Sequence, residues 1–227
     1  MGADGRCRTA HRGDRARLCG AGDPVALRST AGRGRIRYRI LTVADDDDDV
    51  PVPETDLPSG QDTDPLLPGS RARELVEALA RSGQTVATAE SLTAGLLTAT
   101  VAGVPGASRV LRGGLVVYAT DLKGTLAGVS ESTLERDGPV AAATAAELAE
   151  GARDRCRADW GVGLTGVAGP DPQDGHPVGT VFLAVAGPDG TDVHRLSSGG
   201  TRWQIRRSAA HAAVSELLDR VRARRAG

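Results

Sequence analysis

The chain has 227 residues, 40% of them hydrophobic and only 2% aromatic, with a formal net charge of −1. That size and balance suit one soluble α/β domain with extensions, cored by Ala, Val and Leu, and they argue against a general nucleic-acid binder. No apolar run approaches the roughly 18 residues of a membrane span, and no apolar stretch follows the N-terminal arginines as a secretory signal requires.

Three scattered cysteines, Cys7, Cys19 and Cys156, lack C-x-x-C spacing, and the four histidines form no H-E-x-x-H pattern. A reducing cytoplasm and the absence of a structural metal are the corresponding expectations.

Residues 1–40 carry ten arginines against three aspartates, with little apolar periodicity. Such a segment buries too little surface to offset its ordering entropy, so residues 1–44 are expected to be a disordered basic extension. Two other accounts are translated sequence upstream of the true start, and a basic arm that tethers the protein to DNA. Residues 45–69 open with five aspartates, Asp45 to Asp49, and continue through Pro51, Pro53, Pro58, Pro65 and Pro68, an acidic proline-punctuated linker. The ordered domain is expected over 70–225.

In that domain Leu75, Val76 and Leu79 share a helical face, and Gly83 supplies a stop. Thr85 to Ala89 predicts a strand, and Ser91 is expected to open a helix through about Ala102. Gly114 to Ala119 predicts a buried strand and Leu134 ends a short helical piece. A long alanine-rich helix follows from Ala141 to Arg157, then a strand from Trp160 to Thr165 and a loop from Val167 to Pro177. Val178 to Ala186 and Thr191 to Ser197 predict a hairpin across Gly187 to Gly190, and Trp203 to Arg224 a closing helix. Alternating helices and strands imply an α/β fold, a three-layer α/β/α sandwich, and the hairpin makes its sheet mixed.

Three segments carry candidate chemistry. T-A-E-S-L-T-A-G, Thr88 to Gly95, lies at a strand-to-helix junction, where outward N–H groups favour negative charge. A Ser91 hydroxyl there is either a nucleophile with amides to hold an oxyanion, or simply an N-cap. G-G-L-V-V-Y-A-T-D-L-K, Gly113 to Lys123, holds the only lysine of a chain whose other 27 basic residues are arginine. Arginine cannot become neutral in a protein, whereas a desolvated ammonium can, so Lys123 is a candidate general base for Ser91, with Tyr118 relaying a proton or orienting the base. The plainer account is a surface lysine and a boundary aromatic. The third segment, Thr165 to Thr180, turns at Gly166 and Gly169 at the carboxyl end of a strand, where open α/β sheets bind ligands. It is otherwise an ordinary surface loop.

Gly161-Val162-Gly163-Leu164-Thr165-Gly166 matches G-x-G-x-x-G, but its glycines fall inside the predicted strand and Gly169-Pro170 follows instead of a helix, so a dinucleotide site is rejected. Arg202 and Arg206, four apart, share a face at the start of the last helix and are either phosphate ligands or a solvated basic surface.

Taken in order, these segments resemble the C-terminal domain of the competence/damage-inducible protein CinA, a family that includes nicotinamide-nucleotide amidohydrolases (nicotinamide mononucleotide deamidases). The matches are Thr88 to Gly95, Pro105 to Ser108, Gly113 to Lys123, Gly138 to Ala141, Thr165 to Pro170, His176 to Val181 and Arg202 to Arg206. Departures from the family pattern are Leu92 for a cysteine, Ala94 for a glycine, Thr120 for an asparagine, Ala141 for a serine and His176 for a lysine.

The resemblance implies hydrolysis of the carboxamide of nicotinamide mononucleotide to nicotinate mononucleotide and ammonia, in pyridine nucleotide salvage. It implies no metal or organic cofactor, a small-molecule nucleotide substrate, and a homo-oligomer, a dimer. Ser91, Lys123 and Tyr118 are the implied catalytic set, with direct attack by activated water as the alternative. Thr93, Gly95, Thr165, Gly166, Gly169 and Arg206 are the implied substrate-binding set, Gly169 and Arg206 near the phosphate. Some members attach this domain to a larger N-terminal domain. Residues 1–69 are expected to be too short and polar to form it, which favours a stand-alone enzyme. The rival expectation is a non-catalytic nucleotide-binding or partner-binding module.

Overall fold

The computed structural model describes residues 69–226. The expected basic extension over 1–44 and all of the acidic linker except Gly69 lie outside the described residues.

The described chain is an α/β domain built on a mixed five-stranded sheet ordered β2-β1-β3-β4-β5. Its strands are β1 (Val86–Glu90), β2 (Leu111–Val116), β3 (Trp160–Gly166), β4 (Thr180–Gly187) and β5 (Gly190–Ser197). β1 runs parallel to both β2 and β3, while β3–β4 and β4–β5 are antiparallel, so the predicted hairpin is the antiparallel edge. The helices are α1 (Ala72–Ser82), α2 (Leu96–Ala102), α3 (Thr120–Thr125), α4 (Glu131–Asp137), α5 (Ala142–Cys156) and α6 (Arg202–Ala226). None of the described helices is long and apolar enough to cross a membrane.

Period-two alternation sorts the strand side chains into two layers. Val181, Leu183 and Val185 of β4 join Val162 and Leu164 of β3 under α1, α2 and α6. Phe182, Ala184 and Ala186 turn to the other face and meet Ala145 and Ala149 of α5. With so few aromatics, close helix approach replaces large side chains. A methyl group at Gly161 or Gly163 would land on the carbonyl oxygen of Ala149 or Ala145. The rejected G-x-G-x-x-G motif is thus the seat of α5 on the central strand.

Several boundaries differ from the sequence expectation: β2 begins at Leu111, not Gly114, and is half-exposed rather than buried, and α4 runs to Asp137 past Leu134. β2 ends at Val116, not Ala119: its partner β1 ends at Glu90, whose carbonyl takes a last bond from the Val117 N–H before the chain leaves the ladder. α2 starts at Leu96, not Ser91; Ser91 to Gly95 is a turn, and the N–H groups opening the helix are taken by the Glu90 side chain.

Candidate active site

The site lies at the carboxyl ends of the parallel strands, where chains leaving β1, β2 and β3 diverge around a cleft. β1 delivers Ser91, the segment after β2 delivers Tyr118 and α3, and β3 delivers Thr165 and Gly166. Ser91, Tyr118, Lys123, Thr165, Gly166 and Gly169 all line this cleft.

Lys123 is 2% exposed although α3 is only six residues long. Its Nζ lies 3.1 Å from Ser91 Oγ, 3.0 Å from the Val117 carbonyl oxygen and 3.3 Å from the Tyr118 carbonyl oxygen. Burial pushes its pKa below the ordinary 10.5, against a smaller upward pull from Asp121. The hydrogen-bond inventory separates the two protonation states. An ammonium donates to all three oxygens. A neutral amine keeps two N–H bonds, to the two carbonyls, and turns its lone pair toward the Ser91 hydroxyl. The chain's departure from β2 at Val117 therefore supplies the carbonyls that orient the base.

Ser91 is 8% exposed, and its N–H donates to the Leu164 carbonyl, fixing the start of the turn to β3. Among the described residues the N–H groups of Leu92 and Thr93 have no hydrogen-bond partner. Arg206 grips the same turn from α6, donating through Nε to the Leu92 carbonyl and through Nη2 to the Thr93 carbonyl, each at 2.9 Å. In a planar trans peptide the N–H points opposite to the carbonyl. Arg206 therefore turns the Thr93 N–H away from itself.

The other sequence candidates fall in two groups. Thr165 lines the cleft and donates to the Pro139 carbonyl at 2.6 Å. Tyr118 is 55% exposed at the rim, and its hydroxyl accepts from Arg202 at 2.6 Å. Arg202 also donates to the Gly169 carbonyl, so it straps the β2–α3 and β3–β4 connections together. Thr93, Gly95 and Arg206 do not line the cleft. The Thr93 hydroxyl is buried without a partner, and the Gly95 N–H is bound to Glu90.

Sequence reasoning passed over Glu90, Asp171, Gln173 and the separate role of Arg202. Asp171 and Gln173 sit on the long β3–β4 loop and also line the cleft. Glu90 stood inside the first motif, and the signal available was a carboxylate at the end of an otherwise apolar strand.

The departures also have physical settings. Leu92 is 3% exposed within the main core, so that position packs as well as lining the cleft. Ala94 sits at φ 49°, left-handed backbone that costs a non-glycine residue about 1 kcal/mol. Ala141 precedes α5 at the N-cap, where it makes no side-chain cap bond.

A model of the CinA C-terminal domain matches residues 69–221. A competence-damage inducible protein of Streptococcus pneumoniae is 45% identical over 153 residues, which make up 67% of this chain and 36% of that protein. The chain thus spans about a third of the length of the curated relatives it matches. Among solved structures, the competence/damage inducible protein CihA from Agrobacterium tumefaciens is 35% identical, with a TM-score of 0.63 over 65% of this chain and 92% of that one. A competence or damage-inducible protein from Enterobacter asburiae is 30% identical, with a TM-score of 0.64 over 66% of this chain and 95% of that one. With the family model running from the first helix of the sheet domain into the last, the chain belongs to the CinA C-terminal domain family.

Proposed function

We propose that the domain is an amidohydrolase that cleaves the carboxamide of nicotinamide mononucleotide, giving nicotinate mononucleotide and ammonia. The observation that carries this reading is the buried 3.1 Å contact between Lys123 Nζ and Ser91 Oγ on the wall of a cleft at the sheet's carboxyl edge.

In this scheme neutral Lys123 takes the Ser91 proton as Oγ attacks the carboxamide carbon. The N–H of Leu92, a residue that lines the cleft, is the candidate to hold the oxyanion that forms. Collapse breaks the C–N bond, and Lys123 returns the proton to the departing nitrogen, which leaves as ammonia. Water then attacks the acyl-serine, Lys123 takes a proton from it and passes it to the departing Ser91 oxygen, and the released carboxylic acid gives its own proton to ammonia, leaving carboxylate and ammonium. Atoms and protons balance over one turnover, with water consumed. The guanidinium of Arg202 and the backbone around Gly169 stand at the rim where the nucleotide's phosphate would lie.

The test is ammonia release from nicotinamide mononucleotide by purified protein. Release that is abolished in Ser91→Ala and in Lys123→Ala supports the reading. Binding of the nucleotide without release by the unaltered protein would favour a binding module, and release surviving both substitutions would remove these residues from the chemistry.

A further inference from the structure

A serine at the end of a strand and the start of a helix ordinarily caps that helix with its hydroxyl. Ser91 does not, because the preceding residue does so. Glu90 is fully buried. Its Oε2 accepts from the N–H groups of Gly95 and Leu97, each at 3.0 Å. Its Oε1 accepts from the Thr98 N–H at 2.7 Å and from the Thr98 hydroxyl at 2.6 Å. With the Thr98 proton spent on Glu90, the Thr88 hydroxyl is the donor in its 2.6 Å contact with Thr98, and it also reaches Glu90 Oε1 at 3.3 Å. Gly114 on β2 makes room for this cluster: a methyl there would press into both threonine hydroxyls.

We propose that Glu90 is a positioning residue for Ser91: its carboxylate, braced by Thr98 and Thr88 beneath Gly114, occupies the first turn of α2 and so leaves the Ser91 hydroxyl facing Lys123. Glu90 makes no contact with the cleft and acts only through the turn. Replacement by glutamine is informative because it is isosteric. Oε2 faces two backbone N–H groups and Oε1 one, beside hydroxyls that can turn to accept, so either orientation of the amide sets an NH2 group against at least one N–H that can only donate. The vacated helix start then competes for the Ser91 hydroxyl.

The kinetic part of the test rests on the proposed amidase activity; a second part does not. With a single lysine in the chain, 13Cε-lysine labelling gives one lysine signal, whose titration reports directly on the Ser91–Lys123 contact. Glu90→Gln, Thr98→Val and Thr98→Ser are compared by ammonia kinetics, thermal melting and this titration. Glu90→Gln is expected to lower kcat about a hundredfold with KM within about threefold, because misplacing a reacting group by about 1 Å costs that much. Thr98→Val is expected to lose about tenfold in kcat, and Thr98→Ser, which keeps the hydroxyl, less than about twofold. In Glu90→Gln and Thr98→Val the lysine midpoint moves up toward 10.5 as water reaches the loosened contact.

A Thr98→Val protein that melts lower but keeps both kcat and the lysine midpoint would reduce the cluster to a structural role and overturn the proposal. A folded Glu90→Gln with unaltered kcat and midpoint would do the same. Should Glu90→Gln fail to fold, the Thr98→Val and Thr98→Ser pair decides. Should the unaltered protein release no ammonia, the functional reading falls, and the lysine midpoints still decide this inference.

Discussion

Two ionisable side chains flank Ser91, both almost wholly buried, and the protein surrounds them in opposite ways. Glu90 accepts from three backbone N–H groups and the Thr98 hydroxyl, donors supplied by the first turn of a helix, and from the Thr88 hydroxyl of its own strand. Lys123 meets three oxygens, two of them carbonyls and the third a hydroxyl that can itself give up a proton. A buried charge with a full set of fixed partners is a strut. One whose last partner can exchange a proton with it is a reagent. Position alone does not separate them; the chemistry of the partners does.

The contrast is broken most severely at Lys123. Lys123→Ala is expected to cut ammonia release about a thousandfold, the scale of losing a general base. Lys123→Arg should be as inactive, because a guanidinium holds its proton throughout the accessible pH range. An active Lys123→Arg would show that charge, not proton transfer, is what the site needs.

The pH dependence sharpens the same point. Burial holds the folded pKa of Lys123 below 10.5, so between the two values the unfolded chain binds more protons than the folded one. Stability therefore rises with pH through that window, and the cost of burying the ammonium is fully present below it. Lys123→Met should flatten this part of a pH series of chemical denaturation curves. Activity should share the sign, with kcat/KM rising along a limb whose midpoint lies below 10.5.

At the rim the effects shrink. Tyr118 contributes a backbone carbonyl to Lys123, while its hydroxyl meets Arg202 at a half-exposed surface. Tyr118→Phe keeps the carbonyl and should cost only about three- to tenfold in kcat/KM, the worth of one exposed charge-assisted hydrogen bond. A hundredfold loss would instead make the hydroxyl a proton relay. Smallest for activity is Ala141→Ser: a hydroxyl at the uncapped start of α5 should raise stability by about 1 kcal/mol and leave kcat unchanged, read from melting curves and ammonia release.

Local signals made much of this legible in the sequence. Apolar spacing located α1, the β4–β5 hairpin and the long helices, and the solitary lysine drew attention to the residue that meets Ser91. What escaped was set by partners distant along the chain. Ser91 read as the start of a helix because serine usually is one; nothing local said that Glu90 would fold forward over the next eight residues. Arg202 and Arg206 looked alike on one helical face. Their different duties, one at the cleft rim and one behind the Ser91 turn, follow from which backbone carbonyls the folded loops present. Glycines 161 and 163 resembled a nucleotide motif, while their actual constraint is the carbonyl ridge of α5.

The claim that matters most is that a neutral Lys123 draws the proton from Ser91. It is tested most directly by titrating the single 13Cε-lysine signal beside the pH profile of kcat/KM for ammonia release. The account predicts one shared midpoint, below 10.5. A lysine midpoint at or above 10.5, with the activity limb elsewhere, would contradict it.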